Sequence, residues 1–331
     1  MFVQSLRMTM QNSNTLDSII RKIRESKTSL VFSHQNPDGD TLGSMLALGS
    51  VLKELGHRVD HVNSDPVPEV YKFLPYTHLV KLPDQIQAGH ELAFSLDCGS
   101  VKRLGKAVGL WSRARTKINI DHHVSNENFG EINWIEADAI STGQLVYWLA
   151  KSLNLEITKE VATLLYTTLL TDTGCFSNSN TNAEALLWGS ELMKLGAEHE
   201  SVYRKVFLEK PFKAVRIFGT ALSNINLLEG NQVAWTYVSK ELMKSLSATG
   251  EDTEDIIDHM MRIKGVKVCV FFREDANETK VSLRSNVIDV SKIAVSFGGG
   301  GHKRAAGINI KKPFSEVKDL VLNKVIDELK R

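Results

Sequence analysis

Blocks of apolar residues along the first half of the chain predict strands and helices in alternation. Short apolar runs predict buried strands at residues 29–33, 91–96 and 117–120. Segments with an apolar residue at every third or fourth position predict helices at 15–25, 141–153 and 158–170. Asp40 can cap a further helix, which Gly56 ends. Because strands that alternate with helices usually pair in parallel, the pattern predicts an α/β fold with a doubly wound, mainly parallel sheet.

The pattern changes near residue 210, which indicates a second domain. The later elements are a helix at 213–222, a hairpin around Glu229-Gly230-Asn231, strands at 266–272 and 279–284, and an amphipathic C-terminal helix. We therefore expect a first domain at residues 1–200, a linker at 201–211 and a smaller second domain at 212–331.

Charge and cysteine content argue against several classes of protein. The chain has 40 Lys and Arg residues against 39 Asp and Glu residues, a formal charge of +1, and no dense basic run. Proteins that hold long nucleic acids usually present a basic face, so no long nucleic acid is expected as a partner. Three widely spaced cysteines predict neither a disulfide framework nor a zinc site. With neither a secretory signal nor an apolar run long enough to cross a bilayer, the sequence predicts a cytoplasmic protein without membrane contact.

Three predicted strands run directly into residue types that bind metal ions, and the helix at 158–170 runs into a further acid. These residues, in chain order, are His34, Asp38, Asp40, Asp97, Asp121, His122, His123 and Asp172. In an open parallel sheet, ligands bind beyond the carboxyl ends of the strands. If the strands are neighbours, the side chains therefore converge on one edge of the sheet.

Carboxylates crowded at one edge would repel one another unless cations neutralised them. Two divalent ions about 3.5–4 Å apart, bridged by a shared aspartate, are the usual arrangement for phosphoester hydrolysis. The mixture of His and Asp suits manganese or a similar borderline-hard metal. Successive side chains diverge on an extended backbone, so one of His122 and His123 can bind metal while the other faces substrate. Asp121 would orient an imidazole by a hydrogen bond.

Each of these residues taken alone also has an ordinary structural explanation. Asp40 can be only a helix N-cap, and Asp38-Gly39 can be only a turn. A single histidine or aspartate in a loop is usually a surface residue. The joint pattern at several strand ends is what favours a metal site.

A second candidate site is the glycine run in FGGGGHKRAAG, residues 297–307. Gly299, Gly300 and Gly301 let the backbone approach an anion, and His302 follows at once. The run lacks the GK[ST] ending of a P-loop. Arg284, on a predicted strand, could clamp a phosphate. The alternatives are a flexible hinge or tight packing for the glycines, and a solvated strand residue for Arg284.

Five motifs occur in the order found in one known family. SHQNPDGDTLGS, LDCGS, IDHHVSN and TDTGCFSNSNT look like its first four motifs, and FGGGGHKRAAG looks like the glycine signature of its second domain. The chain therefore resembles the DHH phosphoesterase superfamily, and within it the DHH–DHHA1 group of nanoRNases, or oligoribonuclease and pAp phosphatases (NrnA-like). The resemblance covers nearly the whole chain. Thr41 and Cys98 depart from the Ala and Thr often found in the family.

The resemblance implies a role for each matching residue. One manganese ion would be bound by His34, Asp38 and Asp97. The other would be bound by Asp40, Asp97, His122 and Asp172, with Asp97 as the bridge. His123 would contact the scissile phosphate, and Asp121 would support it.

The resemblance also implies how the substrate binds and what the second domain looks like. The far phosphate or terminal nucleotide would contact Arg284, the Gly299–Gly301 backbone and His302. The active site would lie in a cleft between the DHH domain and a smaller α/β DHHA1 domain with a mixed sheet.

The implied function is manganese-dependent hydrolysis of short RNA or DNA oligonucleotides and of 3′-phosphoadenosine 5′-phosphate (pAp). Two ions, with Mg²⁺ or Co²⁺ as possible substitutes, would activate a hydroxide, and a homodimer is a possible assembly. The alternatives are a pApA or cyclic dinucleotide phosphodiesterase, an inorganic pyrophosphatase, and a nucleotide-binding module without catalysis. The GGGGH signature argues against a pyrophosphatase, and the complete ligand set argues against a non-catalytic module.

Overall fold

A computed structural model describes residues 10–87, 89–275 and 278–331, and the chain divides into two compact units between Glu209 and Lys210. The division falls within the predicted linker at residues 201–211. The exact bounds of the two domains stay a prediction. Most of that segment is helical, because an α-helix at His199–Tyr203 continues as a π-helical turn at Arg204–Leu208. None of the helices in the described ranges is both long and apolar enough to cross a membrane.

The first unit is a six-stranded parallel sheet with helices on both faces. Its helices are α1 (Met10–Glu25), α2 (Gly39–Glu54), α3 (Val108–Arg113), α4 (Thr142–Ser152), α5 (Lys159–Asp172), α6 (Ala183–Lys194) and α7 (His199–Tyr203). Its strands are β1 (Thr28–Phe32), β2 (Arg58–Val62), β3 (Val80–Lys81), β4 (Leu92–Leu96), β5 (Thr116–Asp121) and β6 (Ile132–Ile135). The order is β3-β2-β1-β4-β5-β6 with every pair parallel, so the predicted sheet is confirmed.

The sheet has its topological switch between β1 and β4. The chain runs outward from β1 to β3 on one side and from β4 to β6 on the other. Successive residues of β1 pack on opposite faces, with Val31 in the core cluster of α2 and α5 and Phe32 in the cluster of α3. In open α/β sheets, ligands bind beyond the carboxyl ends of the strands at such a switch. The residues that follow β1, β4 and β5 therefore share the expected binding edge.

Two helix ends differ from the sequence-based expectation. Asp38 caps α2 instead of Asp40, because its backbone is extended (φ −101°, ψ −169°) and its carboxylate accepts the Thr41 N–H at 3.0 Å. Asp40 lies in the first turn of α2 and is 2% exposed, so its role is not that of the N-cap. Asp172 is the last residue of α5 and does not lie beyond the helix.

Close packing of α2 against α5 depends on a glycine. A Cβ at Gly43 would lie 2.5 Å from Thr168 Cγ2 and 2.7 Å from the Leu164 carbonyl oxygen. The backbone of α5 is one of the two obstacles, and it cannot rotate away as a side chain could. Since α2 carries Asp40 and α5 carries Asp172, this contact sets the distance between two acidic residues.

The second unit contains a mixed six-stranded sheet, as the resemblance implies. Its helices are α8 (Phe212–Ser223), α9 (Lys240–Ser245), α10 (Asp255–Met260), α11 (Val290–Ser296) and α12 (Phe314–Lys330). Its strands are β7 (Asn226–Leu228), β8 (Val233–Val238), β9 (Val268–Glu274), β10 (Thr279–Ser285), β11 (Gly300–His302) and β12 (Ala305–Ile310). The order is β11-β12-β10-β9-β8-β7, in which β8 and β9 are parallel and the other pairs antiparallel. The hairpin predicted at 229–231 joins β7 to β8.

The substitution Gly43→Ala tests the close helix contact. We expect it to lower the free energy of unfolding by about 1–3 kcal/mol, because the added methyl group would force α2 away from α5. The matched control is Gly109→Ala in α3, where a Cβ would meet no atom within 4 Å. Urea unfolding of the two variants should separate them. Equal stabilities would show that the contact is not tight.

Candidate metal centre

Neighbouring strand ends bring the predicted ligands to one place. Asp97 follows β4 directly and His122 follows β5 directly, while His34 lies two residues beyond β1. Pairing of β4 with both β1 and β5 makes these ends adjacent. Asp40 and Asp172 reach the same place from α2 and α5. The centre is therefore built from three strand ends and two packed helices.

The first group of potential ligands is His34, Asp38 and Asp97. The Nε2 atom of His34 lies 3.8 Å from Asp38 Oδ2 and 3.6 Å from Asp97 Oδ2. The three ligand atoms lie within 4.8 Å of one another. One cation at the middle of this group would be within reach of all three.

The second group is Asp40, His122 and Asp172. The Nε2 atom of His122 lies 3.8 Å from Asp40 Oδ2 and 3.9 Å from Asp172 Oδ1. These ligand atoms also lie within 4.8 Å of one another. The structure thus brings together all six residues that the resemblance assigns to metal.

Asp97 lies between the two groups. Its Oδ2 faces His34, while its Oδ1 lies 3.7 Å from His122 Nε2 and accepts a hydrogen bond from Thr142 Oγ1 at 3.1 Å. Its backbone has φ +55°, in the left-handed region that aspartate tolerates better than most residues. Its N–H donates to the Ile120 carbonyl at 3.1 Å, which fixes this turn. The carboxylate is positioned to be shared by two cations.

Burial and mutual repulsion shift the pKa values of the carboxylates. Burial raises the pKa of Asp40 well above its ordinary value, and the charges of Asp97 and Asp172 raise it further. Burial also raises the pKa of Asp172, to about 6. For Asp97, burial acts in the same direction, but the interaction with His34 and the charges of His123 and His122 outweigh it and lower its pKa to about 2. Such a set of acids needs added positive charge to be ionised together.

The histidines are oriented as metal ligands. His34 Nδ1 is 2.8 Å from the Gln35 carbonyl and His122 Nδ1 is 3.2 Å from the Ala139 carbonyl. A carbonyl oxygen only accepts, so Nδ1 is the donor and Nε2 is the nitrogen that faces the acids. His122 Nε2 is buried and has no hydrogen-bond partner among the described residues. A cation would satisfy this nitrogen, so the donor set fits a metal ion.

His123 differs from His122 in its partners. Its Nδ1 lies 2.7 Å from Asp121 Oδ1, and Asp121 is fully buried. The hydrogen bond to Asp121 raises the pKa of His123 to about 9. His123 Nδ1 is also 3.5 Å from Asp97 Oδ1, and Asp97, His122 and His123 form a third group of potential ligands, in which the hydrogen bond to Asp121 competes with metal binding at Nδ1. The predicted divergence of the two histidines is thus a difference in partners, since both rings lie near Asp97.

The groups that bind Asp40 are not predicted by the sequence. The carboxylate accepts the backbone N–H groups of Thr142 at 2.9 Å and Gly143 at 3.1 Å, at the N-terminus of α4, and the Ser44 hydroxyl at 3.1 Å. The signal for this contact was the helix start at Ser141, because helix N-termini bind anions. What the sequence could not tell was that this helix points at Asp40.

Two asparagines orient the other acids and were also missed. Asn180 donates to Asp172 Oδ2 at 2.8 Å, and Asn126 donates to Asp121 Oδ2 at 2.5 Å. Both lie inside motifs on which the resemblance rests, which was the available signal. Thr41, one of the two departures from the family pattern, donates its hydroxyl to the Leu96 carbonyl at 3.1 Å. It therefore ties the start of α2 to the end of β4.

The second unit holds the other predicted residues on one sheet face. Arg284 pairs with Ala305, and Ala305 pairs with His302. Cross-strand partners share a face, so Arg284 and His302 lie on the same side, two strands or roughly 10 Å apart. Arg284 Nε donates to Asp258 Oδ1 at 3.2 Å, so the arginine is not simply solvated.

The glycines of the run differ in what surrounds them. A Cβ at Gly301, where φ is +144°, would lie 2.5 Å from the Ala305 carbonyl oxygen, and one at Gly299 would collide with the Gly307 carbonyl oxygen. Tight packing, one of the alternatives considered for the run, therefore accounts for these two glycines. A Cβ at Gly300 would meet nothing within 4 Å. Gly300 leaves open space next to the sheet, where a ligand could approach the backbone.

Comparisons with known proteins identify two family domains in the chain and relatives that match most of its length. The DHH family, N-terminal domain, matches residues 28–169, and the DHHA1 domain matches residues 230–331. A bifunctional oligoribonuclease and PAP phosphatase NrnA from Thermus thermophilus is 32% identical over 91% of this chain and 90% of its own length. The protein of the same name from Bacillus subtilis is 24% identical over 88% of this chain and 92% of its own.

A solved structure has the same fold over both units. It is that of an exopolyphosphatase-related protein from Bacteroides fragilis, with a TM-score of 0.87 and 28% sequence identity. The similarity covers 96% of this chain and 98% of that one.

The substitution Asp121→Asn tests the link between Asp121 and His123. In the unsubstituted protein without added metal, His123 should be protonated at pH 7–8, since its pKa is about 9. An amide cannot supply the negative charge, so the pKa of His123 should fall toward its ordinary value near 6.5. Histidine ring titration by NMR measures this. Burial lowers the pKa of His61 to about 4, which should not change and serves as the internal control.

Proposed function

The chain belongs to the DHH family of phosphoesterases, hydrolases that act on phosphoester bonds, and we propose that it hydrolyses short oligonucleotides and pAp with two manganese ions. The observation that carries the proposal is the cluster of four aspartates and two histidines of which Asp97 is the central member. The names of the Thermus and Bacillus relatives contain both activities, which supports the substrate class. The cytoplasmic location and the homodimer stay predictions from the sequence.

The metal ligands are assigned by proximity. His34 and Asp38 would hold one ion, His122, Asp40 and Asp172 the other, and Asp97 both. Oxygen ligands with a minority of imidazole nitrogens suit manganese, and thiolates are not part of the set. When bound, the ions would activate water and stabilise negative charge on the phosphoryl oxygens.

The side chains around the ions prepare the phosphate for attack. His123 is 41% exposed on its side chain, so its free Nε2 can donate to a phosphate oxygen while Asp121 holds Nδ1. The hydrolysis forms a bond from a water oxygen to phosphorus and breaks the bond from phosphorus to the sugar oxygen. The departing sugar oxygen takes up one proton. The buried hydrogen bonds of Asp121 and Asn126 keep the imidazole in one orientation during these steps.

The second unit would bind the part of the substrate that does not react. Arg284 offers a guanidinium on the same sheet face as His302 and the open Gly300 backbone. A phosphate and a terminal nucleotide are the ligands that suit a cation beside an accessible backbone. A small number of such cations fits short substrates, because each further phosphate would need its own.

Removal of the shared ligand tests the metal site. We expect Asp97→Asn to abolish manganese-dependent hydrolysis of pAp and of dinucleotides, and to weaken Mn²⁺ binding, because it removes a charge from both ion sites. The measurements are phosphate or mononucleotide release and Mn²⁺ titration by electron paramagnetic resonance. Asp84→Asn, at an exposed position in the first unit, is the matched control. Full activity of the Asp97 variant would refute the proposal.

The substrate class is tested with the unsubstituted protein and added manganese. A panel of pAp, oligomers from two to five nucleotides, a long oligomer, a cyclic dinucleotide and pyrophosphate should show hydrolysis of pAp and the short oligomers. Turnover should decline as the oligomer lengthens. Hydrolysis of pyrophosphate alone would instead assign the chain to the pyrophosphatase alternative.

Arg284→Gln tests the second unit. The substitution should raise KM for pAp by about tenfold or more with little change in kcat, because a charge-assisted hydrogen bond to a non-reacting phosphate is lost. Arg216→Gln, at an exposed position on α8, removes the same charge elsewhere in the unit and should leave KM unchanged. If both variants behaved alike in steady-state kinetics, Arg284 would have no binding role.

A further inference from the structure

Arg103 lies beside the loop that carries His34 and Asp38. It belongs to a 3-10 turn at Val101–Ala107, which follows β4 and Asp97. Its carbonyl accepts the Gln35 N–H at 2.8 Å, and its own N–H donates to the Ser100 carbonyl at 3.1 Å. Both bonds fix the Arg103 backbone next to the metal centre.

Two residues further along the chain, close packing of Gly105 against Ser64 and Gln35 holds this turn in place. Gly105 has φ +55°, and a Cβ there would lie 2.7 Å from Ser64 Oγ and 3.1 Å from Gln35 Oε1. Ser64 in turn donates its hydroxyl to the Leu104 carbonyl at 2.5 Å. The turn therefore packs firmly on the loop at residues 34–38. This packing fixes the backbone position from which the half-buried Arg103 side chain extends.

The Arg103 side chain is a cation at the edge of the centre without a fixed acidic partner. Its charge acts on Asp38 and on His123, so Arg103 lies within electrostatic range of these two exposed groups of the centre. Within the described parts of the chain, however, the guanidinium has no hydrogen bond and no ion pair. The neighbouring carboxylates would bind the metal cations. The remaining partner for Arg103 is therefore an anion that enters the site from solution.

From this position we infer that Arg103 contacts the substrate, and that its guanidinium binds the non-bridging oxygens of the scissile phosphate. The inference rests on the proposed function and adds a residue to it. Arg stays charged over the whole working pH range, and its planar fork matches two phosphate oxygens. Negative charge on those oxygens must be stabilised as the phosphoryl group is transferred, which is the function that arginine serves in other phosphoryl-transfer sites. The alternative is a solvated surface arginine, whose loss would have no kinetic effect.

The substitution Arg103→Gln, compared with Lys102→Gln, tests the contact. Lys102 is the exposed neighbour, so the control removes the same charge one residue away. We expect Arg103→Gln to lower kcat/KM for pAp and for a dinucleotide by about 10- to 100-fold, mostly through kcat. The inhibition constant of inorganic phosphate should rise in parallel, whereas Mn²⁺ binding and the thermal unfolding midpoint should stay as in the unsubstituted protein. Lys102→Gln should stay within about twofold of the unsubstituted protein in all of these.

A second variant keeps the test decisive if Arg103→Gln does not fold. Arg103→Lys retains the charge without the fork, and we expect an intermediate loss of kcat/KM. Kinetics and phosphate inhibition equal to those of Lys102→Gln, with an active unsubstituted protein, would overturn the inference and leave the proposed function intact. An unsubstituted protein that hydrolyses neither pAp nor dinucleotides would overturn the proposed function instead. There would then be no hydrolysis for inorganic phosphate to inhibit.

Discussion

Repulsion among buried carboxylates is the constraint to which the rest of the first unit responds. Asp40 and Asp97 are each 2% exposed, and Asp172 offers an oxygen within 4.8 Å of Asp40. At an effective dielectric constant of about 20, two like charges at such a distance repel by about 3–4 kcal/mol. Each backbone N–H hydrogen bond to a charged carboxylate stabilises it by about 1.5–3 kcal/mol, and Asp40 accepts two of them. The bonds from α4 to Asp40 therefore offset the repulsion from one or two neighbouring acids, and divalent cations are needed for the full set.

The fold responds to this constraint by bringing two kinds of group to the same edge as the acids. The N-terminus of α4 supplies backbone N–H groups, and the ends of β1 and β5 supply His34 and His122. Backbone carbonyls hold the far nitrogen of each histidine, so that the other nitrogen faces the acids. Asp121 is kept outside the ligand groups by its hydrogen bonds to His123 and Asn126. The surroundings of each acid thus support the proposed division into metal ligands and a supporting acid.

Glycines determine how close the backbones come in both units. Gly43 allows α2 to approach α5, which fixes the distance between Asp40 and Asp172. Gly299 and Gly301 allow β11 to pair with β12, while Gly300 keeps an open face beside His302. In the sequence, the glycine run suggests a loop that binds phosphate. In the structure, part of the run serves the close packing of the strands. Two of its members, Gly298 and Gly300, have open space beside them for contact with a ligand.

The sequence by itself determined the alternation of strands and helices, the six ligand types and the order of the motifs, because periodicity and residue chemistry are local properties. It could also show that His122 and His123 would differ, but not how. The tertiary structure decided that Asp38 caps α2, that α4 points at Asp40, that Asp97 faces both groups and that Arg103 lies beside His34. Each of these depends on contacts between residues far apart in the chain, and no local pattern encodes the direction in which such a contact is made.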